Sequence, residues 1–403
     1  MQEKNAHSLT LPVLALTLGR WCLNTGTRMV YPFLPAFSRA LNISLLQASR
    51  LVAVRSFAGI LSPLFGPLSE QHGRRPILIL CLIALNASSL LVLVAPGPAA
   101  FGIALILIAL IKVIYDPTLQ AYIGDAVPYA SRGRIISITE ISWSAALLVG
   151  APLVGWLIGW LGWQAPFVGL GLGGLLAGII LWRVMPPTPP RTTAAPRLSD
   201  VGRVVRRHPV ILAAAAYTLL LMLANDIIFI VYGDWMERAF GLSLGTLGLA
   251  SGIIGGSEIL GELSAGWAVD RFGKRPVVIS AGVAGALVYA LLPLLGVSLT
   301  TALVMLALTF YFFEVTVVGG IPLLTELVPQ ARGIVMSTIM AAAAVGRALG
   351  AWLGPQIWLR GDLRANGITS AALALLAILV LARWVREAPD NSHDSQTSSR
   401  KLF

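Results

Sequence analysis

Charged side chains are scarce in this chain of 403 residues. Asp, Glu, Lys and Arg make up 12% of it, about half of the roughly 25% that is typical of soluble domains. By contrast, 57% of the residues are hydrophobic and the mean hydropathy is +0.81. This composition excludes an ordinary soluble domain. Apolar runs long enough to cross a bilayer, about 20 residues each, predict an all-α membrane protein.

Cysteine and histidine are rare too. Cys22 and Cys81 are the only two cysteines, and both fall inside predicted spans, so we expect no structural disulfide. The four histidines fall in loops or tails, and no His/Cys cluster has the spacing of a metal site. A phosphate-binding G-x-x-x-x-G-K-S/T loop is missing, because Gly273-Lys274 is followed by Arg275. We therefore expect no metal, no cofactor, no ATP-driven pump and no enzyme.

Two charged hairpins repeat at an offset of 200 residues, GPLSEQHGRRP at 66–76 and GWAVDRFGKRP at 266–276. A second pair, Arg132-Gly133 and Arg332-Gly333, follows at the same offset. A single repeat this long indicates two homologous halves rather than a solenoid. Among membrane proteins, transporters are built from two such repeats of six helices.

Six apolar spans are predicted in each half. Spans one to six are 10–37, 45–69, 77–95, 99–124, 135–160 and 164–184, and spans seven to twelve are 209–237, 244–269, 277–297, 301–326, 334–358 and 367–385. The expected domains are an amino-terminal bundle (1–184), a cytoplasmic linker (185–208), a carboxy-terminal bundle (209–386) and a disordered cytoplasmic tail (387–403). Within the linker, Asp200 to Arg207 predicts a short amphipathic helix on the membrane surface.

The net charge of +11 would suit nucleic acid, but its distribution argues for a membrane. Most Lys and Arg residues fall in the loops on one side, and the loops on the other side hold only Arg39, Arg238, Arg360 and Arg364. By the positive-inside rule both termini are cytoplasmic. The partners expected are the lipid bilayer, a small-molecule substrate and protons, with no nucleic acid. The protein is expected to be a monomer in the plasma membrane, or in the inner membrane if bacterial.

The hairpins resemble the G-x-x-x-D-R-x-G-R/K-R signature of the major facilitator superfamily (MFS). The second copy matches the signature completely. In the first copy, Glu70 stands where the signature has Asp, and Gln71-His72 stands where it has the basic residue. The resemblance implies two pseudo-symmetric six-helix bundles with spans one, four, seven and ten around a cavity. It also implies a gating motif at Gly66, Glu70, Gly73, Arg74, Arg75, Arg132, Gly266, Asp270, Arg271, Gly273, Lys274, Arg275 and Arg332. In that motif, Glu70 or Asp270 is expected to cap a facing helix and to meet Arg132 or Arg332.

Ionisable residues are missing between the ends of every third span, namely three, six, nine and twelve. Because a charge in the bilayer is costly, these four spans are predicted to lie at the periphery and the others to surround an interior. The candidate cations of a substrate cavity are Arg28, Arg55, Lys112 and Arg347. The candidate proton-coupling acids are Glu258, Glu262, Glu314, Asp226 and Asp116. Arg20, Arg50 and Glu140 lie nearer the membrane faces, where snorkelling or loop pairing explains them.

Two spacings of four residues deserve comparison. Lys112 and Asp116 share a helix face and can pair with each other. Glu258 and Glu262 share a face too, and two carboxylates that close disfavour being ionised together. A proton carrier needs a carboxyl group that can be neutral, and Glu258 is the first choice because it lies nearer mid-span. The alternative is that one of the two is locked to Arg55 or Arg347 as a structural ion pair.

A proton-coupled exporter of small organic or drug-like molecules is the favoured function. Gly150-Ala151-Pro152 with Gly155 partly resembles the G-P-x-x-G-G motif of the antiporter branch, which favours exchange. The alternatives are a facilitator or proton symporter for a nutrient such as a sugar, and a non-transporting receptor on the same scaffold. The substrate stays open, because the buried acids suit a cation or a neutral compound and the basic residues suit an anion or lipid head group.

Overall fold

The computed structural model describes residues 2–187 and 198–385, which are almost entirely helical. The helices of the amino-terminal half are α1 (Gln2–Arg28), α2 (Val30–Ala40), α3 (Leu45–Ser56), α4 (Ser62–His72), α5 (Arg74–Val94), α6 (Pro98–Ala126), α7 (Tyr129–Ala145), α8 (Ala151–Leu161) and α9 (Ala165–Val184). Those that follow are α10 (Leu198–Arg207), α11 (Val210–Phe229), α12 (Tyr232–Phe240), α13 (Leu244–Phe272), α14 (Lys274–Leu295), α15 (Leu299–Thr325) and α16 (Arg332–Trp384).

These helices form the two six-helix bundles that the repeat predicts, so the predicted fold class is confirmed. Within the described ranges, nine helical segments are long and apolar enough to cross a membrane, and the last of them, Pro329–Trp384, contains two spans. Gly361 and Asp362 have non-helical backbone angles and divide α16 into spans eleven and twelve. Spans one and two complete the set, each divided by a short break, at Met29 and at Phe57–Leu61.

Both charged hairpins turn on a glycine with positive φ. Gly73 has φ +86° and Gly273 has φ +88°, a conformation that side chains with a Cβ rarely adopt. Each glycine lies between the end of one helix and the start of the next, so a single residue connects the two spans. The face of the protein that carries these two hairpins and α10 is called the linker face below.

The bundles contact each other mainly through their halves away from the linker face. There α8 packs on α13, α3 on α16, and α2 on α12. Glycine makes the approach close: a Cβ on Gly248 would lie 2.8 Å from the carbonyl oxygen of Ala151. On the same side, Arg39 and Glu237 form an exposed ion pair of 2.7 Å between the ends of spans one and seven. The bundles are therefore joined away from the linker face.

The linker helix forms where the sequence predicts it. The prediction began at Asp200, and α10 spans Leu198–Arg207. The first part of the linker (188–197) and the predicted tail (387–403), like Arg386, lie outside the described residues.

Candidate functional site

A central cavity of about 420 Å³ lies between the bundles. Its walls come from spans one, two, four, five, seven, ten and eleven, and none of its lining residues belongs to spans three, six, nine or twelve, as the distribution of charge predicts. The contributions of spans ten and eleven, such as Val317, Ile321, Met336 and Met340, come from their halves nearer the linker face. The cavity thus extends from mid-span towards that face.

Arg28 and Glu258 join the two bundles at the closed end of this cavity. Arg28 Nη1 and Nη2 donate to the two carboxylate oxygens of Glu258 at 2.6 and 2.5 Å, and each side chain is 2% exposed. Arg28 Nη1 also donates to the Trp143 carbonyl at 3.2 Å, and the guanidinium lies 4.3 Å from the Trp143 ring centroid. The alternative that one of Glu258 and Glu262 is locked in an ion pair therefore holds for Glu258, but its partner is Arg28, so the prediction of Arg55 or Arg347 as the cation is wrong.

Asp226 forms a second link between the bundles. Its carboxylate accepts a hydrogen bond of 2.9 Å from the Tyr31 hydroxyl. Arg347 Nη1 donates a longer one to it, at 3.5 Å. Asp226 is fully buried, whereas the Arg347 side chain is 27% exposed and lines the cavity. Tyr31 stacks on Phe229 with ring centroids 4.0 Å apart. Asp226 and Arg347 belong to one bundle and Tyr31 to the other.

Arg55 differs from the other three cations of the cavity. It is 3% exposed, its Nη1 has no hydrogen-bond partner, and no carboxylate of the described residues lies within 4.0 Å of it. Its guanidinium carbon lies 5.6 Å from the Tyr31 ring centroid. Arg55 is thus a buried cation without an ion-pair partner at the cavity wall.

The predicted pair of Lys112 and Asp116 is present, as part of a larger network. Lys112 Nζ donates to Asp116 at 2.6 Å, and Arg20 contacts Asp116 at 3.1 Å and Glu140 at 2.7 Å. Lys112 also donates to Asn24 Oδ1 at 2.5 Å. Because two cations hold Asp116, it is the least suited of the acids to bind and release a proton.

The sequence analysis does not place Arg20 and Asn24 in this network, since snorkelling or loop pairing explains a cation near a membrane face. The structure shows Arg20 buried instead, at 5% exposed. A signal was present, because Arg20, Asn24 and Arg28 are spaced by four residues and form a polar stripe on one face of α1. A polar stripe on a membrane helix points into the protein.

Glu262 and Glu314 lie beside the Arg28–Glu258 pair. Glu262 Oε1 accepts a hydrogen bond of 2.7 Å from Ser144 of the other bundle. Glu314 is 6% exposed, and within the described part of the chain its carboxyl group has neither a hydrogen bond nor an ion pair. Its backbone packs against α13 between these two acids, because a Cβ on Gly261 would lie 3.0 Å from Glu314 Cβ. A buried carboxyl group without a partner can gain or lose a proton with no ion pair to break.

The hairpins pair within their own halves. Arg74 contacts Glu70 at 3.8 Å and Asp125 at 3.5 Å, and Lys274 pairs with Glu326. Arg75 donates to the Trp182 carbonyl and Arg275 to the Ala382 carbonyl, two acceptors that also differ by 200 positions. These bonds satisfy carbonyls at the ends of spans six and twelve, which have no helical partner.

The expected contact of Glu70 or Asp270 with Arg132 or Arg332 is wrong for this conformation. Arg132 donates instead to the carbonyls of Gly124 and Val127, at 2.6 and 3.2 Å. Asp270 and Arg332 are exposed and form no ion pair with any described residue. The remaining motif residue, Arg271, has its guanidinium 5.7 Å from the Phe272 ring.

Comparisons with known proteins agree with this architecture. The profile of the major facilitator superfamily matches residues 16–225 and 214–402. The xylose transporter XylE from E. coli, in an inward-open conformation, superposes with a TM-score of 0.75 at 19% identity, covering 96% of this chain and 98% of that one. A bacterial homologue of the human lysosomal transporter Spinster gives 0.72 at 17%, covering 94% and 98%. The human organic anion transporter MFSD10 (TETRAN) gives 0.69 at 18%, covering 92% and 99%.

Two related bundles around a central cavity, with ion pairs crossing between them, are the architecture of a membrane transporter. The chain belongs to the major facilitator superfamily. It is a multi-pass membrane protein of a class whose members generally carry solutes rather than catalyse reactions. At these identities the solved structures establish the shared fold alone.

Proposed function

We propose that the protein is a proton-coupled exchanger that exports a small organic molecule across the plasma membrane, with the linker face in the cytoplasm. The observation that carries the proposal is the position of the buried acids. Glu258 and Asp226 each bond a residue of the other bundle, and Glu314 lies beside this interface without a partner.

Alternating access requires the interface between the bundles to open first on one face and then on the other. The Arg28–Glu258 bond lies on the closed side of the cavity, so it has to break before the face away from the linker can open. Protonating Glu258 removes the charge that holds Arg28, and Glu314 can supply or receive that proton nearby. Proton binding and the open face are thereby linked, since each state of the interface favours a different protonation of the acids.

Export by exchange is supported by the apolar cavity and by span five. The cavity is lined by residues such as Leu221, Met222, Leu324 and Met336, which suit an apolar body rather than a sugar. In span five, a π-helical turn at Ala146–Gly150 precedes Ala151 and Pro152, at the surface that packs on α13. This is the segment that partly resembles the antiporter motif.

A ligand screen followed by transport measurements tests the proposal. Thermal shifts of the purified protein would be recorded against a panel of metabolites and drug-like compounds at two pH values. The strongest ligand would then be followed in proteoliposomes with and without an imposed pH gradient. We expect accumulation against its own gradient only when the pH gradient is present. If the ligand only equilibrates across the membrane, with or without the pH gradient, the protein is a facilitator and not an exchanger.

A further inference from the structure

The charges that line the cavity do not balance. Its lining includes four basic residues, Arg28, Arg55, Lys112 and Arg347, but one acid, Asp116. Three of the basic residues have carboxylate partners, at 2.5 Å for Arg28, 2.6 Å for Lys112 and 3.5 Å for Arg347. Arg55 has none. The wall of the cavity therefore presents one cation that has no carboxylate of the described residues within 4.0 Å, although Asp226 attracts it from farther away.

A buried charge without a counter-ion is costly, and proteins keep one where a ligand supplies the opposite charge. Arg55 is 3% exposed and its Nη1 lacks a hydrogen-bond partner. Arg347 can support it, because its contact with Asp226 is long and its side chain is partly exposed in the same cavity. Arg55 lies 5.6 Å from the Tyr31 ring centroid, and the Tyr31 hydroxyl and Arg347 both contact Asp226, so the two arginines lie near the same tyrosine.

A cationic ligand has no comparable partner. Asp116 is held by both Arg20 and Lys112, and Glu258 and Asp226 are each bound to an arginine. Glu314 has no such partner, but it does not belong to the residues that line the cavity. A cation entering the cavity would have to displace one of these pairs. An anion needs to displace nothing at Arg55.

The rest of the cavity is apolar. Leu221, Met222, Leu324, Met336 and Met340 line it beyond the arginines, and thioether side chains adapt to differently shaped apolar ligands. The volume of about 420 Å³ is within the range of small-molecule sites. The site therefore offers one anion-binding point and an adaptable apolar chamber.

We infer that the cavity binds amphipathic organic anions, with the anionic head group on Arg55 and the apolar body among the methionines and leucines. The inference deepens the proposed function, because it takes this cavity as the transport site. It names the substrate as a class, in which a carboxylate or a phosphate monoester provides the head group.

Fluorescent probes with one body and different head groups test the inference. Dansylaminoundecanoic acid would be compared with its neutral amide, with the corresponding amine, and with the corresponding alkyl phosphate. Binding would be followed by dansyl fluorescence in detergent, without any gradient. We expect the acid or the phosphate to bind about tenfold or more tightly than the amide, and the amine to bind most weakly. The better of the two anions identifies a carboxylate or a lipid-like phosphate as the preferred head group.

Variants of one helix supply the controls. Arg55→Gln should weaken binding of the anionic probes about tenfold or more while the amide binds unchanged, and Arg55→Lys should keep part of the preference. Arg50→Gln, an exposed position on the same helix, should change nothing. An amide or amine that binds the unmodified protein as tightly as the anions would overturn the inference, and so would an Arg55→Gln variant that retains the preference.

The binding test and the transport test fail separately. Anion binding at Arg55 without any response of transport to a pH gradient would leave the inference intact and remove the proposed exchange. Proton-coupled accumulation of a cation or a neutral compound would support the proposed exchange and contradict the inference of an anionic substrate.

Discussion

Arg28 and Glu258 are 230 residues apart in sequence and form a two-bond ion pair, with nitrogen–oxygen distances of 2.5 and 2.6 Å, between the two bundles. Both side chains are almost completely buried. Alternating access would separate the bundles on this side of the cavity, so in the proposed mechanism this pair breaks during the cycle. In the proposed mechanism it is the contact that connects protonation with movement of the bundles.

A double-mutant cycle measures how strongly this pair holds the bundles. Replacing Arg28 or Glu258 alone by Met leaves its partner charged and buried, which we expect to cost about 3–5 kcal/mol. The double variant removes both charges and should recover much of that loss. Thermal unfolding of the purified single and double variants checks this. Losses that simply add would mean that the two side chains do not act as a pair.

Close packing of spans five and eight should be needed for the closed side of the cavity. A Cβ on Gly255 would lie 2.6 Å from the Ser144 carbonyl oxygen, in the backbone of the other bundle. Gly255→Ala should destabilise this conformation by about 1–3 kcal/mol, visible as a lower unfolding temperature. Gly256→Ala is the matched control, because its Cβ would meet only Leu148 Cδ1 at 3.9 Å. Equal effects of the two variants would show that the close contact is unimportant.

The acid of each hairpin is predicted to act in a conformation other than this one. Asp270 is exposed and has no ion pair among the described residues, so Asp270→Asn should leave the unfolding temperature unchanged. It should nevertheless slow transport several-fold, since the resemblance implies that this hairpin gates the linker face. Glu70→Gln should have the smaller effect on the rate, because the first hairpin departs from the motif. If Asp270→Asn transports at the normal rate, the hairpin only fixes the orientation of the helices in the membrane and does not act as a gate.

Glu314 is predicted to be required for proton-driven accumulation. Glu314→Gln keeps the shape of the side chain but cannot bind and release a proton. Using the ligand found by thermal shift, we expect proteoliposomes containing this variant to exchange substrate downhill but not to accumulate it. Asp116→Asn is the comparison, because Asp116 is fixed by two cations and should affect stability more than coupling. Full accumulation by Glu314→Gln would exclude it as a coupling residue.

The sequence predicted the architecture because the relevant signals are local or repeated. Apolar length located the spans, and the offset of 200 residues predicted two equivalent bundles. The spacing of four between Lys112 and Asp116 also predicted their contact correctly, since helical geometry alone brings such residues together.

The partners across the bundle interface could not be predicted in the same way. Which cation meets Glu258 depends on how α13 packs against α1 and α7, and no periodicity encodes that packing. The same spacing argument grouped Glu258 with Glu262, yet the structure gives them separate partners, Arg28 and Ser144. Likewise, Arg55 lacks a carboxylate partner because of where the acids of both bundles pack, which the sequence pattern does not encode.

Distances between spin labels on the two faces test the central claim most directly, and they need no ligand. One labelled pair would replace Ser131 and Gln330, exposed residues at the starts of spans five and eleven on the linker face. The other would replace Ala40 and Ala239, exposed residues on the opposite face. The buried Cys22 and Cys81 would first be changed to Ala.

Lowering the pH should shorten the Ser131–Gln330 distance and lengthen the Ala40–Ala239 distance, because in the proposed mechanism proton binding breaks the Arg28–Glu258 pair. Glu258→Gln should show the acidic distribution at every pH. Distances that do not change with pH in the unmodified protein, or a Glu258→Gln variant that still responds to pH like the unmodified protein, would contradict proton control of the bundle interface through this pair.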